Sequence, residues 1–432
     1  MRASFIHVAD THLGYEQYGI HERFNDFSRA FWEIMQEAVQ RPVHFVLIAG
    51  DLFHKRAIDA RTLIHAIEGL KMLKENAIPV LAIEGNHDRS YYREGVSWLQ
   101  FLCHQGYLTL LDPRMQDGAP ILEPWDKQQM LGAYVDLPAS TLRVYGLKWQ
   151  GAATARCMEG LTRALAEARA SEEDCGIEYR LLMMHTGVDG IVPRLAGLPT
   201  QSQFEPLKPY IDYLALGHVH KPFEIGGWIY NPGSTETCGA EEASWEDRGY
   251  YYVEIDTEAQ QPRHHAIHQV SKRRPFVRHD LRVDGLNEPA ELYTRLETYC
   301  QQGGPAHQTA LVRPLVQIQL IGTLAFDASS LDTDYMEKIV RTYFEPLHVR
   351  IDNNTNDRDY LPEQSELDGR DRSTWQELER HIFADLVGHD QRYLFAREAW
   401  GSVLTQLKEM ALEKQDPATI AQFLRERREK LL

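Results

Sequence analysis

The sequence predicts a layered α/β domain, followed by a small α+β unit and a set of C-terminal helices. Three observations carry this expectation. Over the first two-thirds of the chain, short apolar runs alternate with amphipathic stretches of helical spacing, the pattern of strands and helices packed in layers. From Tyr250 the pattern turns to strands, and after an acidic stretch with little apolar content helical periodicity returns. A length of 432 residues makes two or three units the natural expectation, and 43% apolar residues are enough to bury a substantial core.

Taken in order, Phe5–Ala9, His44–Ile48, Val80–Ile83, Val144–Leu147, Leu181–Met184 and Tyr213–Leu216 read as buried strands. Between them, Phe24, Phe27, Phe31, Ile34, Met35 and Ala38 recur at helical spacing, as do Leu63, Ile67, Leu70 and Leu73. Tyr250–Asp256 and Ala266–Val270 read as further strands, and the basic run Lys272, Arg273, Arg274 before Pro275 marks a boundary. The next unit is expected to hold strands at Leu311–Ile321 and Leu347–Ile351 around a helix at Asp334–Tyr343. Asp352, Asp357, Asp359, Glu363, Glu366, Asp368 and Asp371 then read as a solvated linker. Beyond it, Ser373 with Gln376 fits a capping box ahead of Trp375, Leu378, Ile382 and Leu386. A second helix carries Tyr393, Trp400, Leu404 and Leu407, and a third opens at Asp416–Pro417. The expected divisions are therefore 1–270, 271–350, 351–372 and 373–432.

Composition removes several function classes. No window approaches the length of apolar sequence a membrane span requires. The apolar residues Phe5, Ile6, Val8 and Ala9 lead straight into a chemical motif, so the N-terminus reads as part of the fold rather than a signal peptide. Five scattered cysteines without a C-x-x-C read as reduced thiols of a cytoplasmic protein. With 46 basic against 63 acidic residues and a net charge of −17, the chain does not coat nucleic acid by bulk attraction.

Five short motifs follow predicted strands: Asp10-Thr11-His12, Gly50-Asp51-Leu52-Phe53-His54, Gly85-Asn86-His87-Asp88, His185-Thr186-Gly187 and Gly217-His218-Val219-His220. Strand ends are where open α/β sheets place ligands, so five separate loops are able to converge on one site. Carboxylate, imidazole and amide oxygen suit a borderline divalent cation such as Mn²⁺ or Fe²⁺, and the motifs contain no thiolate to draw zinc or copper. Two cations roughly 3.5–4 Å apart clamp a phosphate and activate water when a carboxylate is shared between them, and Asp51 is the natural bridge. A lone histidine among 19 carries little meaning, and His104, His264, His265 and His268 are assigned to packing or to the surface.

The order Asp-x-His, Gly-Asp, Gly-Asn-His-Asp, His, Gly-His-x-His resembles that of the calcineurin-like metallophosphoesterases over residues 1 to about 270. The resemblance implies a layered metallophosphoesterase sandwich with one metal held by Asp10, His12, Asp51 and His220. The other would be held by Asp51, Asn86, His185 and His218. It implies that His87 protonates the leaving oxygen or stabilises transition-state charge, with Asp88 as its orienting partner. Protein phosphatases of this family continue Gly-Asp with an Asp-Arg-Gly element. This chain instead reads Gly-Asp-Leu-Phe-His, as does the DNA-repair nuclease branch typified by bacterial SbcD and the nuclease of the eukaryotic MRN complex. The opening His7-Val8-Ala9-Asp10-Thr11-His12-Leu13-Gly14 and the turn Asn231-Pro232-Gly233-Ser234 are similar to that branch too. By that resemblance His54 would sit near the scissile phosphate.

The same resemblance implies a capping domain that guides DNA at 271–350 and helices at 373–432 that dock on an SbcC-like coiled-coil ATPase. Lys272, Arg273 and Arg274 are the candidate phosphate contacts. The expected function is a manganese-type nuclease, both exonuclease and endonuclease, in DNA double-strand break repair. The expected partners are DNA, the ATPase and, as an open alternative, a second copy of the chain. The rival reading is a phosphodiesterase or phosphatase acting on nucleotides or small phosphoesters.

Overall fold

The computed structural model describes all residues except 1, 42, 91–94, 138–140, 172–175, 194, 196, 260–262, 306–311, 358–378, 385, 388–392, 394–395, 413–414 and 432. Each apolar run of the first two-thirds forms a strand, and the strands sort into two six-stranded sheets. The first runs in the order His264–Val270, Gly249–Asp256, Arg2–Val8, Phe45–Ile48, Val80–Ala82, Thr109–Leu110. The second runs Phe223–Ile225, Ile229–Asn231, Tyr213–Gly217, Tyr179–His185, Leu142–Leu147, Tyr134–Asp136. The central strands of each pair in parallel: Phe5 lies opposite Phe45 and Val46 opposite Val80 in one, Leu214 opposite Leu182 and Val144 opposite Leu181 in the other.

The unbroken apolar runs have a simple cause, because these sheets are buried on both faces. Along Arg2–Val8 the side chains alternate between two cores, as a period of two requires. Ala3 and Phe5 join Leu47, Val144, Leu181 and Tyr213 between the sheets. Ile6 and Val8 face outward onto Phe31, Ile34, Met35 and Leu70. The outer face of the second sheet packs Leu182, Met184 and Leu214 against Met158, Leu161 and Leu165. The result is a sandwich of helix, sheet, sheet and helix layers.

The helices agree with their spacing. His21–Gln40 buries the Phe24, Phe27, Phe31, Ile34, Met35 and Ala38 stripe. Ala60–Glu75 begins at Asp59, whose carboxylate accepts from the Thr62 N–H at 2.8 Å, satisfying one of the free donors of the first turn. The histidines assigned to packing behave so: His264 bridges the hydroxyls of Tyr179 and Tyr230, and His268 bonds the Pro232 carbonyl. His7, fully buried, spans from the first sheet to the second, bonding the Tyr213 hydroxyl and the Leu216 carbonyl.

The described chain divides into two compact units. One comprises Met1–Arg282, Ala290–Leu320 and Asp332–Asn354, and the other Val283–Pro289, Ile321–Leu331 and Thr355–Leu432. After the sandwich, Phe276–Arg282, Leu315–Leu324 and His348–Asp357 form a three-stranded sheet, and Pro289–Gly303 and Thr333–Phe344 are helices. The last strand enters the stretch expected as linker. Asp352 to Asp357 carry no apolar side chain, yet they extend a strand at the end of that sheet, with Asn353, Asn354 and Asn356 exposed. Farther on, Arg397–Leu412 and Pro417–Leu431 are helical, the latter capped by the Asp416 carboxylate. The expected capping box at Ser373 and Gln376, with Trp375 and Leu378, lies outside the described residues.

Candidate metal centre

All five motifs lie at the C-terminal ends of parallel strands from both sheets, so the sandwich brings their side chains to one end of the fold. Among the described residues four groups of possible ligand atoms form there, two of them with carboxylates. Asp10, His12 and Asp51 offer ligand atoms within 4.8 Å of one another, and so do Asp51, His185 and His218. Asp51 belongs to both. Asn86 joins the second cluster: its Oδ1 lies 3.2 Å from His185 Nε2 and 3.0 Å from His218 Nδ1. His220 joins the first, with its Nε2 3.0 Å from His12 Nε2.

Convergence this close needs special backbone. Asp10, His12, Asp51 and His218 all adopt positive φ (52°, 47°, 52° and 87°), a conformation that non-glycine residues avoid and that gathers at functional sites. Two motif glycines make room. A Cβ on Gly85 would sit 2.0 Å from Asp51 Oδ1. Gly50, at φ +91°, has His185 Nδ1 2.2 Å from where its Cβ would be.

The imidazoles are oriented from behind. His185 Nδ1 donates to the Ala49 carbonyl at 2.8 Å, which turns Nε2 toward Asp51 Oδ2 at 3.3 Å. His220 Nδ1 lies 2.6 Å from Glu242 Oε1, the carboxylate–histidine arrangement that fixes a ligand's tautomer. Glu242 is in turn held by Arg248, whose Nη1 donates to its other oxygen at 2.5 Å. A second buried ionic group lies nearby: Arg23 donates to Asp26 and Glu236, and Arg274 donates to Asp26 through both Nε and Nη2.

Charge follows from this packing. Burial pushes the Asp10 carboxyl up to about 6 against the pull of His185 and His220. Burial also opposes ionisation of Asp51, yet His185 and His12 hold it well below the usual carboxylate range. His185, despite burial, is raised to about 9 by Asp51. His54 is lowered to about 4, by burial first and then by His87, so its ring is neutral at pH 7.

The donor set fits a pair of borderline divalent cations. Carboxylate, amide-oxygen and imidazole donors face one another at 3.0–3.3 Å, and His12 Nδ1, though buried, has no hydrogen-bond partner among the described residues.

Three expectations are corrected. Asp88 does not orient His87. Its carboxylate is taken up by the backbone N–H groups of Gly85, Leu52 and Phe53 at 3.0–3.3 Å, tying the second motif to the third, and burial raises it to about 7. The partner of His87 is the His54 carbonyl, 2.6 Å from Nδ1. Arg274 is not free to meet a phosphate, because it is buried against Asp26; Arg273 donates to the Trp245 and Glu246 carbonyls, and Lys272 alone of the three is exposed. The centre also has a thiol. Cys238 Sγ lies within 4.8 Å of ligand nitrogens of both His12 and His220, and burial pushes it up to about 11.

Sequence reading missed Cys238, Glu242 and Arg248, which follow the Asn231-Pro232-Gly233-Ser234 turn without a motif of their own. It also missed Tyr15, whose ring stacks on His54 with centroids 3.7 Å apart. Beside the centre, a cavity of about 600 Å³ reaches His218 and His220 between Val192, Pro193, Leu195 and Trp245.

A family model described as calcineurin-like phosphoesterase matches residues 3–222. The DNA double-strand break repair protein Mre11 of Archaeoglobus fulgidus is 32% identical over 247 residues, 56% of this chain and 52% of that protein. The protein of the same name from Haloferax volcanii is 28% identical, over 63% of this chain and 53% of its own length. The chain thus spans about half the length of these relatives.

Proposed function

The chain belongs to the calcineurin-like phosphoesterase family, and from that premise we propose that it is a two-metal DNA nuclease of the double-strand-break repair type. The observation that carries the reading is Asp51, the one carboxylate common to both ligand clusters. The repair-protein names of the relatives support DNA as substrate. In this reading Asp10, His12, Asp51 and His220 hold one cation and Asp51, Asn86, His185 and His218 the other. Mn²⁺ is the ion such oxygen and imidazole donors suit. When bound, the pair polarises the phosphate and supplies a nucleophile from water.

The chain's own groups do the rest. Ala49 and Glu242 hold the His185 and His220 rings in one tautomer, and Asp88 keeps the Asp51 and Asn86 loops in register. The His87 Nδ1–H donates to the His54 carbonyl, so Nε2 is the nitrogen available to the leaving oxygen, to which it would donate from the doubly protonated ring. We assign His54 that supporting role, since its own ring is neutral, and keep Lys272 as the candidate phosphate contact. Exonuclease and endonuclease action, a cytoplasmic setting, and work with an SbcC-like ATPase, as one copy or as a homodimer, complete the proposal. Free Cys103, Cys157, Cys238 and Cys300 support the reducing setting, and among the described residues no helix is long and apolar enough to cross a membrane.

The deciding experiment incubates the protein with labelled single- and double-stranded DNA, and with a small chromogenic diester. Cleavage of DNA is expected with Mn²⁺, more weakly with Mg²⁺, and not in excess chelator. Full activity in chelator would overturn the metal assignment, and diester hydrolysis without any DNA cleavage would favour a small phosphoester instead.

A further expectation concerns the C-terminal helices, where Leu386, Leu412 and Leu424 are exposed. Deleting 373–432 should leave nuclease activity while abolishing co-purification with an SbcC-like ATPase. Undiminished co-purification would show that docking lies elsewhere.

A further inference from the structure

We propose that Cys238 gives this centre a second, mutually exclusive metal site, in which a soft divalent cation such as Zn²⁺ or Cd²⁺ is held by the Cys238 sulfur and one nitrogen each of His12 and His220. The three ligand atoms lie within 4.8 Å of one another. The exclusivity rests on the reading above, in which those same two imidazoles serve the first of the two borderline cations.

The thiol is not on a wandering loop. Its backbone N–H donates to Glu242 Oε2 at 2.9 Å, and its carbonyl accepts from Gln17 Nε2 at 2.9 Å. The neighbouring Thr237 hydroxyl accepts from Arg248 Nη2 at 2.8 Å, and Glu236 and Arg248 are both fully buried. Glu242 therefore orients two of the three ligands at once: one oxygen takes the Cys238 N–H and the other faces His220 Nδ1. The third, His12, is 2% exposed and has an Nδ1 without a hydrogen-bond partner among the described residues. The cavity that reaches His220 gives an ion a route in.

The chemistry separates the two occupants. A thiolate with two imidazoles is a three-ligand set of the kind zinc accepts with a position left open. At any such site Zn²⁺ binds more tightly than Mn²⁺, and a sulfur ligand widens the gap. Binding expels the thiol proton to solvent, so the charge on the ion is met by one new negative charge. With His12 and His220 drawn onto the sulfur-bound ion, the first set of the two-cation centre is left with Asp10 and Asp51 alone. Zinc then acts as an inhibitor of the Mn²⁺-loaded protein, held through a sulfur ligand that Mn²⁺ does not use.

The test uses the full chain. Cd²⁺ titration of the wild type should produce an ultraviolet thiolate-to-cadmium band that saturates at one equivalent. Cys238→Ser should lose that band, and the Zn²⁺ concentration that half-inhibits Mn²⁺-dependent DNA cleavage should rise more than about tenfold, the least that losing even an outer-shell partner costs in metal affinity. Circular dichroism on the same sample checks the fold. Asp51→Asn should keep the band, because Asp51 is outside this set. A band that survives in Cys238→Ser, or an unchanged half-inhibitory concentration, overturns the proposal. A cadmium band in a wild type that cleaves no DNA would sink the nuclease reading and leave the sulfur site standing.

Discussion

Asp51→Asn is expected to abolish hydrolysis, by more than the ~10²–10³ that loss of a single transition-state hydrogen-bond donor costs, while the protein stays folded. The buried carboxylate is the one ligand group common to both clusters, so its charge is what both cations would share. An amide in its place keeps the shape. Its oxygen still accepts the His87 N–H, now 2.9 Å from Asp51 Oδ1. It also suits the backbone, since Asp51 sits at φ 52° and asparagine tolerates that left-handed region well. What is lost is a negative charge that the neighbouring imidazoles hold in place against burial. Metal content by elemental analysis, thermal midpoint and single-turnover cleavage should be measured on one preparation. Metal content should fall with turnover, and the midpoint should not. Near-wild-type turnover at full metal occupancy would end the assignment of Asp51 as the bridge.

The legible part of this protein was its apolar rhythm and its five strand-end motifs. Strands buried on both faces are continuous apolar runs, so Phe5–Ala9 and Leu181–Met184 stand out in sequence. Which sheet each strand joins does not, because Phe5 and Ile6 look alike and face different cores. The last strand from Asp352 escaped for the opposite reason: it is polar and partly exposed, and only its neighbour in the sheet makes it a strand. The same divide runs through the site. Motif residues were read at once, and the order of motifs agrees with the family match. Their supporting partners are tertiary. Arg274 looks like one member of a surface basic run, yet its guanidinium binds Asp26, 248 residues earlier. The family resemblance implied that Asp88 orients His87, but the chain turns its carboxylate onto backbone donors of another loop. Cys238 was one of five unremarkable thiols until the fold set it beside His12 and His220.

His87→Gln is expected to lower single-turnover cleavage by about 10²–10⁴, the usual contribution of a positioned proton donor, with both metals and DNA still bound. The His87 ring is restrained through one nitrogen. A carbonyl oxygen only accepts, so the 2.6 Å contact with the His54 carbonyl puts the proton on Nδ1 and leaves Nε2 for substrate. The backbone is restrained as well, through the His87 N–H on Asp51. Both restraints belong to loops that carry candidate ligands, and the ring lies 5.0 Å from that of His12. His54, the other imidazole in reach, is held neutral at pH 7; a proton for the departing oxygen would come from Nε2 of a doubly protonated His87 ring. Glutamine keeps a hydrogen-bonding group of similar reach but has no exchangeable ring proton, so turnover should fall while binding does not. His54→Ala provides the contrast: its main-chain carbonyl is retained, and the loss should be smaller. Metal content, DNA affinity and single-turnover rate on each variant decide the matter. If His87→Gln loses one metal equivalent together with activity, His87 is a ligand; if turnover is unchanged, it has no catalytic part.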